Sequence, residues 1–348
     1  MTEIWLQTAL SPVTAVADQA HRYEADGWDG VMVFDSQCLI ADPYVVLALA
    51  AASTQRIGLG IGVSNPVTRH ASVTANAIAA VHQASGGRAV LGIGRGNSST
   101  AYLGAAPATL AQFGHYLRLL QALLAGEAAP VAMASAQVDE QRSLDPHSLG
   151  RAPDETRLQW LDGTVSKVPV EVAATGPKAI ALGARLGDRV SFSVGASKAR
   201  LSEAVGLSRA SNPDLKLTAY VSVAALEDLA AARNLAAPDV AMHAQIAATN
   251  AANLSCMSDE ERRTAEAIAQ AYDMTRHGRH GAQTAVMDDS FIDANAVVGA
   301  PEHCVERLRN LADVGLDRLV LMLAPPRRGS AGDSYARIVK DVLPHLRE

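Results

Sequence analysis

The stretch DPYVVLALAAASTQRIGLGIGVSNPVTRH, residues 42–70, decides the fold. Asp42 followed by Pro43 is a helix opening. The carboxylate caps free N–H groups of a first turn, and proline at the first helical position has no N–H to leave unpaired. An Ala- and Leu-rich helix follows. Arg56–Gly62 then reads as a strand that is apolar or glycine after its first residue, without polar alternation. That is the pattern of a parallel strand covered on both faces.

The same beat runs outward in both directions. Upstream lie a strand at Ile4–Ala9, a helix from Pro12 through Ala25, and a strand at Gly30–Phe34 (GVMVF). Downstream lie a helix at about Ala71–Ala84, a strand at Arg88–Ile93 and a helix at about Leu110–Leu124. The beat breaks at 126–166, a polar stretch with Trp160 and several prolines, which reads as an insertion near a site. It resumes with strands at Val168–Ala173, Arg189–Val194 and Lys216–Ala224, and a helix from Pro177. A second insertion, Ala-rich and helical, occupies 226–295. The chain ends with a helix at Pro301–Val314, a strand at Asp317–Leu323 and a helix from about Asp333. Eight strands, each followed by a helix, predict an α/β fold, a (β/α)8 TIM barrel with two insertions, as one domain over 1–348. The competitor is an open doubly wound sheet. No G-x-G-x-x-G follows the first strand, which argues against it.

Composition narrows the class. The 348 residues are 49% hydrophobic but only 4% aromatic, so the core is built from Ala, Val, Leu and Ile. Net charge is −6 with dispersed basic residues, which argues against nucleic acid and anionic membranes as partners. Cys38, Cys256 and Cys304 form no CxxC pair or zinc-like cluster, so a reducing, cytoplasmic setting is expected. The N-terminus lacks a signal-peptide pattern, and the run VVLALAAAS is too short to span a bilayer.

In such a barrel, chemistry collects where strands end. The second strand ends in Asp35-Ser36-Gln37, whose carboxylate serves either a ligand or the loop backbone. The third ends in Gly62-Val63-Ser64-Asn65, and the fourth in Gly94-Arg95-Gly96-Asn97, whose glycines permit close backbone approach. The fifth ends in Ala174-Thr175-Gly176-Pro177-Lys178, where a helix begins at once. Thr175 is placed to cap it, Pro177 fits its first position, and the free N–H groups and dipole there suit a phosphate. His82 reads as structural, and His277 and His280 as loop contacts without a third metal ligand. Neither G-x-S-x-G nor H-E-x-x-H occurs, so hydrolase and metalloprotease readings fall away.

Taken together, 42–70, SGGRAVLGIGRGNS (85–98), AATGPKAIALGARLGD (173–188) and FIDANAVVGAPEHCVERLRNL (291–311) resemble the luciferase-like class of flavin and deazaflavin oxidoreductases. The resemblance is nearest to the branch using coenzyme F420, which includes methylenetetrahydromethanopterin reductase and a glucose-6-phosphate dehydrogenase. It implies a bacterial-luciferase-like barrel and hydride transfer between F420 and a small organic substrate. The alternative it leaves is an FMN-dependent monooxygenase supplied with reduced flavin by a separate reductase. It further implies a cis Gly62–Val63 peptide behind the cofactor ring, with Asp35, Ser64 and Asn65 beside it. Gly94, Gly96 and Asn97 would line the ring, Ala174, Thr175, Gly176 and Pro177 would receive the phosphate, and Asp35 and Asn97 would serve catalysis. A homodimer is also implied. Departures are visible: Ser36 stands where relatives have His, Asn97 where deazaflavin reductases carry an acid, and Asn295 where an aromatic is usual. A barrel that binds the cofactor without turning over is the third reading.

Overall fold

The computed structural model describes residues 1–135, 153–249, 257–325 and 329–347. Eight parallel strands close into the predicted barrel: β1 (Glu3–Thr8), β2 (Gly30–Val33), β3 (Gly58–Ser64), β4 (Ala89–Ile93), β5 (Val170–Ala174), β6 (Arg189–Phe192), β7 (Lys216–Ala225) and β8 (Arg318–Met322). Arg189 pairs with Lys216 between β6 and β7, and Glu3 with Arg318 between β1 and β8, so the ring has no open edge.

The helix starts follow the local chemistry. Asp42 accepts from the N–H groups of Tyr44 and Val45 and opens Pro43–Ser53. The helices at Ala71–Ala84 and Leu110–Leu124 have the predicted bounds. Thr109 and Gln112 form a reciprocal capping box at the start of the second. Helices pack on the outer face of the strands through buried Leu, Val, Ile and Ala.

The inside of the barrel is a separate small core of Trp5, Met32, Val90, Tyr220, Val320 and Met322. Trp5 fits only because its strand neighbours lack side chains. A Cβ on Gly30 would lie 2.2 Å from the indole, and one on Gly58 2.5 Å. Below this layer, at the N-terminal ends of the strands, the fully buried Glu171 accepts from Thr218 (2.9 Å) and Arg318 (3.2 Å) and pairs with Arg189 (3.4 Å). Arg318 also reaches Glu3 at 2.7 Å and stacks over Trp5, 3.7 Å from the ring centroid. A buried ionic plug therefore closes the bottom, and function is left to the top.

The insertions differ from expectation in detail. Within 126–166, Ala129–Pro130 pairs antiparallel with Glu155–Thr156, while 136–152 lies outside the described residues. The second insertion holds helices at Leu229–Ala248 and Asp259–Ala271 and has its own apolar cluster. It ends in a strand the sequence reading leaves unassigned: Ala296–Gly299 lies parallel to the outer half of β7, with Ala296 opposite Ser222. No described helix is long and apolar enough to cross a membrane.

Candidate active site

At the end of β2, Asp35 is 3% exposed and accepts from Ser64 Oγ and Gln37 Nε2, both at 2.6 Å. Burial pushes its carboxyl above the ordinary value, against these hydrogen bonds and the nearby Arg69 guanidinium. Arg69 is held by an ion pair with Asp42 and lies 4.7 Å over the Tyr44 ring. Asp35 thus ties the β2 loop to the end of β3, and both of its oxygens are engaged.

On β3 the Gly62–Val63 peptide bond is cis, as the resemblance implied. Gln7 of β1 donates to the Gly62 carbonyl at 2.8 Å. A Cβ at Gly62 would lie 2.7 Å from Tyr220 Oη, and one at Gly92 2.1 Å from the Ile61 carbonyl oxygen. A Cβ at Gly94 would meet Val63 Cγ2 at 3.3 Å and Ala173 Cβ at 3.6 Å. These distances bring Val63, Gly94 and Ala173 together on one wall of the mouth. Asn65 is buried, accepts from the N–H groups of Val67 and Thr68, and donates to Ser99 Oγ at 3.3 Å, clipping the β3 and β4 loops together.

In the β4 loop Gly96 has φ +93°, a left-handed conformation that favours glycine. Asn97 precedes the short helix Ser98–Ala101 without capping it through its side chain; its carbonyl accepts from Thr100 Oγ1 at 2.8 Å. At β5, Pro177 opens the helix Pro177–Leu186 as predicted, but Thr175 does not cap it. Proline at the first position makes Gly176 the N-cap, one residue beyond Thr175, and Gly176 has no side chain to offer. The first-turn N–H groups are therefore unblocked, which leaves the anion-suited helix start in place. Lys178 is exposed beside it, and Ala174 is buried at the strand end.

Among the buried polar atoms without a partner in the described residues are Gln7 Oε1, Ser191 Oγ, Tyr220 Oη and Ser222 Oγ. All four residues have the inward parity of their strands, and Gln7 and Ser222 both pair in register with Met322. Unsatisfied buried polar groups are costly and call for an explanation. Small residues and unpaired hydrogen-bonding atoms around the top of the barrel fit a planar heteroaromatic ring with a polar edge. The sequence reading missed Gln7, Tyr220 and Ser222. A signal existed: each keeps the two-residue parity of an inward position, and Ser222 is polar between two apolar neighbours and Gln7 beside one.

The histidines behave as expected of structural residues. His82 Nδ1 lies 3.1 Å from the backbone at Ala89, and His277 Nδ1 contacts Tyr272 Oη at 2.7 Å. No group of three metal-ligating side chains occurs among the described residues. Asn295 accepts from Arg200 at 3.0 Å and donates to the Phe291 carbonyl at 2.9 Å.

A closed (β/α)8 barrel with a cis non-proline peptide, a glycine-lined mouth and an open helix start places the chain in the class of TIM barrels whose site lies at the C-terminal ends of the strands. The sequence pattern of the luciferase-like monooxygenase family matches residues 2–318, and the chain belongs to that family. It is 27% identical over 316 residues to the 5,10-methylenetetrahydromethanopterin reductase of Methanolobus tindarius, covering 89% of this chain and 90% of the relative. Among solved structures it resembles the coenzyme F420-dependent tetrahydromethanopterin reductase of Methanopyrus kandleri, with TM-score 0.72, 19% identity and 99% of each chain covered. It also resembles an F420-dependent secondary alcohol dehydrogenase in complex with an F420–acetone adduct, with TM-score 0.68, 15% identity, and 100% and 99% of the two chains covered.

Proposed function

We propose that this chain is a coenzyme F420-dependent oxidoreductase that transfers a hydride between the deazaflavin and a small organic substrate at the barrel mouth. The observation that carries the reading is the ring of glycines and unpartnered polar atoms at the top of the barrel. The reductase relatives support the choice of deazaflavin. When bound, the coenzyme supplies the hydride chemistry, and the protein supplies orientation and exclusion of water. Val63 would bear on one face of the ring, and Gly94 and Ala173 would leave room for it. Gln7 and Ser222 would hydrogen-bond its polar edge, and the helix start at Gly176–Pro177 would hold the phosphate. Asp35 would keep Ser64 in place, and Asn97 would position the substrate. The family's name favours one second reading, reduced FMN with oxygen as co-substrate, supplied by a separate reductase.

Gln7→Leu removes Oε1, which has no partner among the described residues, together with the Nε2 hydrogen bond to the Gly62 carbonyl, so the ring would lose a contact and the peptide behind it a support. One lost hydrogen bond of about 1–2 kcal/mol corresponds to roughly 5–30-fold weaker coenzyme F420 binding. Equilibrium fluorescence titration reads this, and unchanged affinity would remove Gln7 from the ring site.

The homodimer belongs to the same proposal. Val45 and Leu49, one turn apart on Pro43–Ser53, and Val73 on the next helix are 54%, 42% and 50% exposed. Joint replacement of Val45 and Val73 by Asp is expected to convert a dimer to monomer in sedimentation velocity. A wild type that sediments as a monomer refutes the dimer.

A further inference from the structure

The helix Leu229–Ala248 of the second insertion reaches the barrel interior, because Met242 packs against the core of Trp5, Tyr220 and Met322. Asp239 lies three residues before Met242 and His243 one after it. At 3.6 residues per turn the three share one face. The other face, through Ala237, Val240, Ala241 and Ala244, is buried in the insertion's own cluster. The helix therefore presents Asp239 and His243 over the mouth. Both are partly accessible, and neither forms a hydrogen bond to a described residue.

The surroundings agree with this placement. Tyr272, after the helix Asp259–Ala271, has its pKa raised chiefly by burial and also feels the negative charge of Asp239, with Tyr102 nearby. Tyr102 stands just beyond Gly94–Asn97 in the β4 loop and donates from its hydroxyl to the Met274 carbonyl, tying that loop to the insertion. Asp239 thus lies close to the wall formed by the β4 loop. The titratable groups around it are His243 on the same helix, Tyr272 with its partner His277, and Tyr102. Arg200 acts on His243.

We propose that Asp239 is the substrate-facing acid of this site, with His243 beside it as a substrate-orienting group. The proposal rests on the reading of the mouth as a hydride-transfer site. Reduction of a C=N or C=O bond needs a hydride at carbon, which is the reduced deazaflavin's contribution, and a proton at the heteroatom. As the carbon–hydrogen bond forms and the π bond breaks, Asp239 gives that proton and is left as a carboxylate, which water reprotonates. Burial pushes its carboxyl up to about 6, so it holds a proton far closer to neutrality than an exposed aspartate does. Burial and Arg200 push His243 down to about 4, which keeps the imidazole neutral and able to donate a hydrogen bond. This places an acid at the mouth although Ser36 and Asn97 replace the groups expected there.

The test is an infrared pH titration of the full chain, alone and with oxidised coenzyme F420, for wild type and Asp239→Asn. A protonated-carboxyl band titrating near pH 6 is expected in wild type, absent in the variant, and moved when the coenzyme binds. A wild-type-minus-Asp239→Asn difference spectrum that lacks this component, or a component that ignores bound coenzyme, overturns the assignment and leaves the coenzyme reading intact. Failure of coenzyme F420 to bind wild type overturns both. Oxidation of the reduced coenzyme by 1-pyrroline or acetone gives a second readout, in which Asp239→Asn should lower the rate by about 10²–10⁴ while coenzyme affinity changes far less. The infrared result decides the matter whether or not either probe is turned over.

Discussion

Glu171→Ala is expected to lower stability by about 3–5 kcal/mol, because it leaves two buried guanidinium groups without their shared carboxylate. Glu171 is 0% exposed, and the side chains of Arg318 and Arg189 are only 4% and 12% exposed. Arg318 keeps Glu3 and its stacking on Trp5, so part of its compensation survives. Arg189 loses its ion pair, and two like charges then remain together in a largely buried region. For a chain of this size the loss corresponds to a fall in Tm on the order of 5 °C. The apolar replacement Glu171→Leu combined with Arg189→Met should cost less, since removing opposite charges together avoids the unpaired state. Thermal unfolding of the three proteins checks this. A Glu171→Ala protein as stable as wild type would show that the ionic plug does not hold the barrel floor.

What could be read from the sequence divides along local and non-local lines. The Asp42-Pro43 opening, the Pro177 helix start and the apolar strands are encoded within a few residues, and they stand in the structure where the sequence placed them. Thr175 failed as a cap for an equally local reason: proline at 177 fixes the preceding residue as N-cap. Ala296–Gly299 was missed because four apolar residues after a helix give no length signal, and only the outer half of β7 makes them a strand. Asp239 was missed because it sits in an Ala-rich helix, and its meaning depends on Met242 packing into a barrel some distance away in sequence. The cis Gly62–Val63 bond followed from resemblance; nothing in the local residue types predicts it.

The second large effect tests the central claim, that the mouth of this barrel holds the deazaflavin ring. Gly94 is buried on the wall shared with Val63 and Ala173, and only a small side chain fits there without displacing a neighbour. Leucine at this position must therefore project into the space assigned to the ring. Gly94 does not have a positive φ, so the substitution carries no backbone penalty of that kind. The most direct measurement is a fluorescence titration of coenzyme F420, with FMN in parallel at the same salt, against wild type and Gly94→Leu. Circular dichroism would confirm that the variant is folded. Wild type is expected to bind F420 in preference to FMN, and Gly94→Leu to weaken F420 by at least about a hundredfold, or about 2.7 kcal/mol. Equal F420 affinity in the two folded proteins, or no affinity for F420 in wild type, would contradict the central claim.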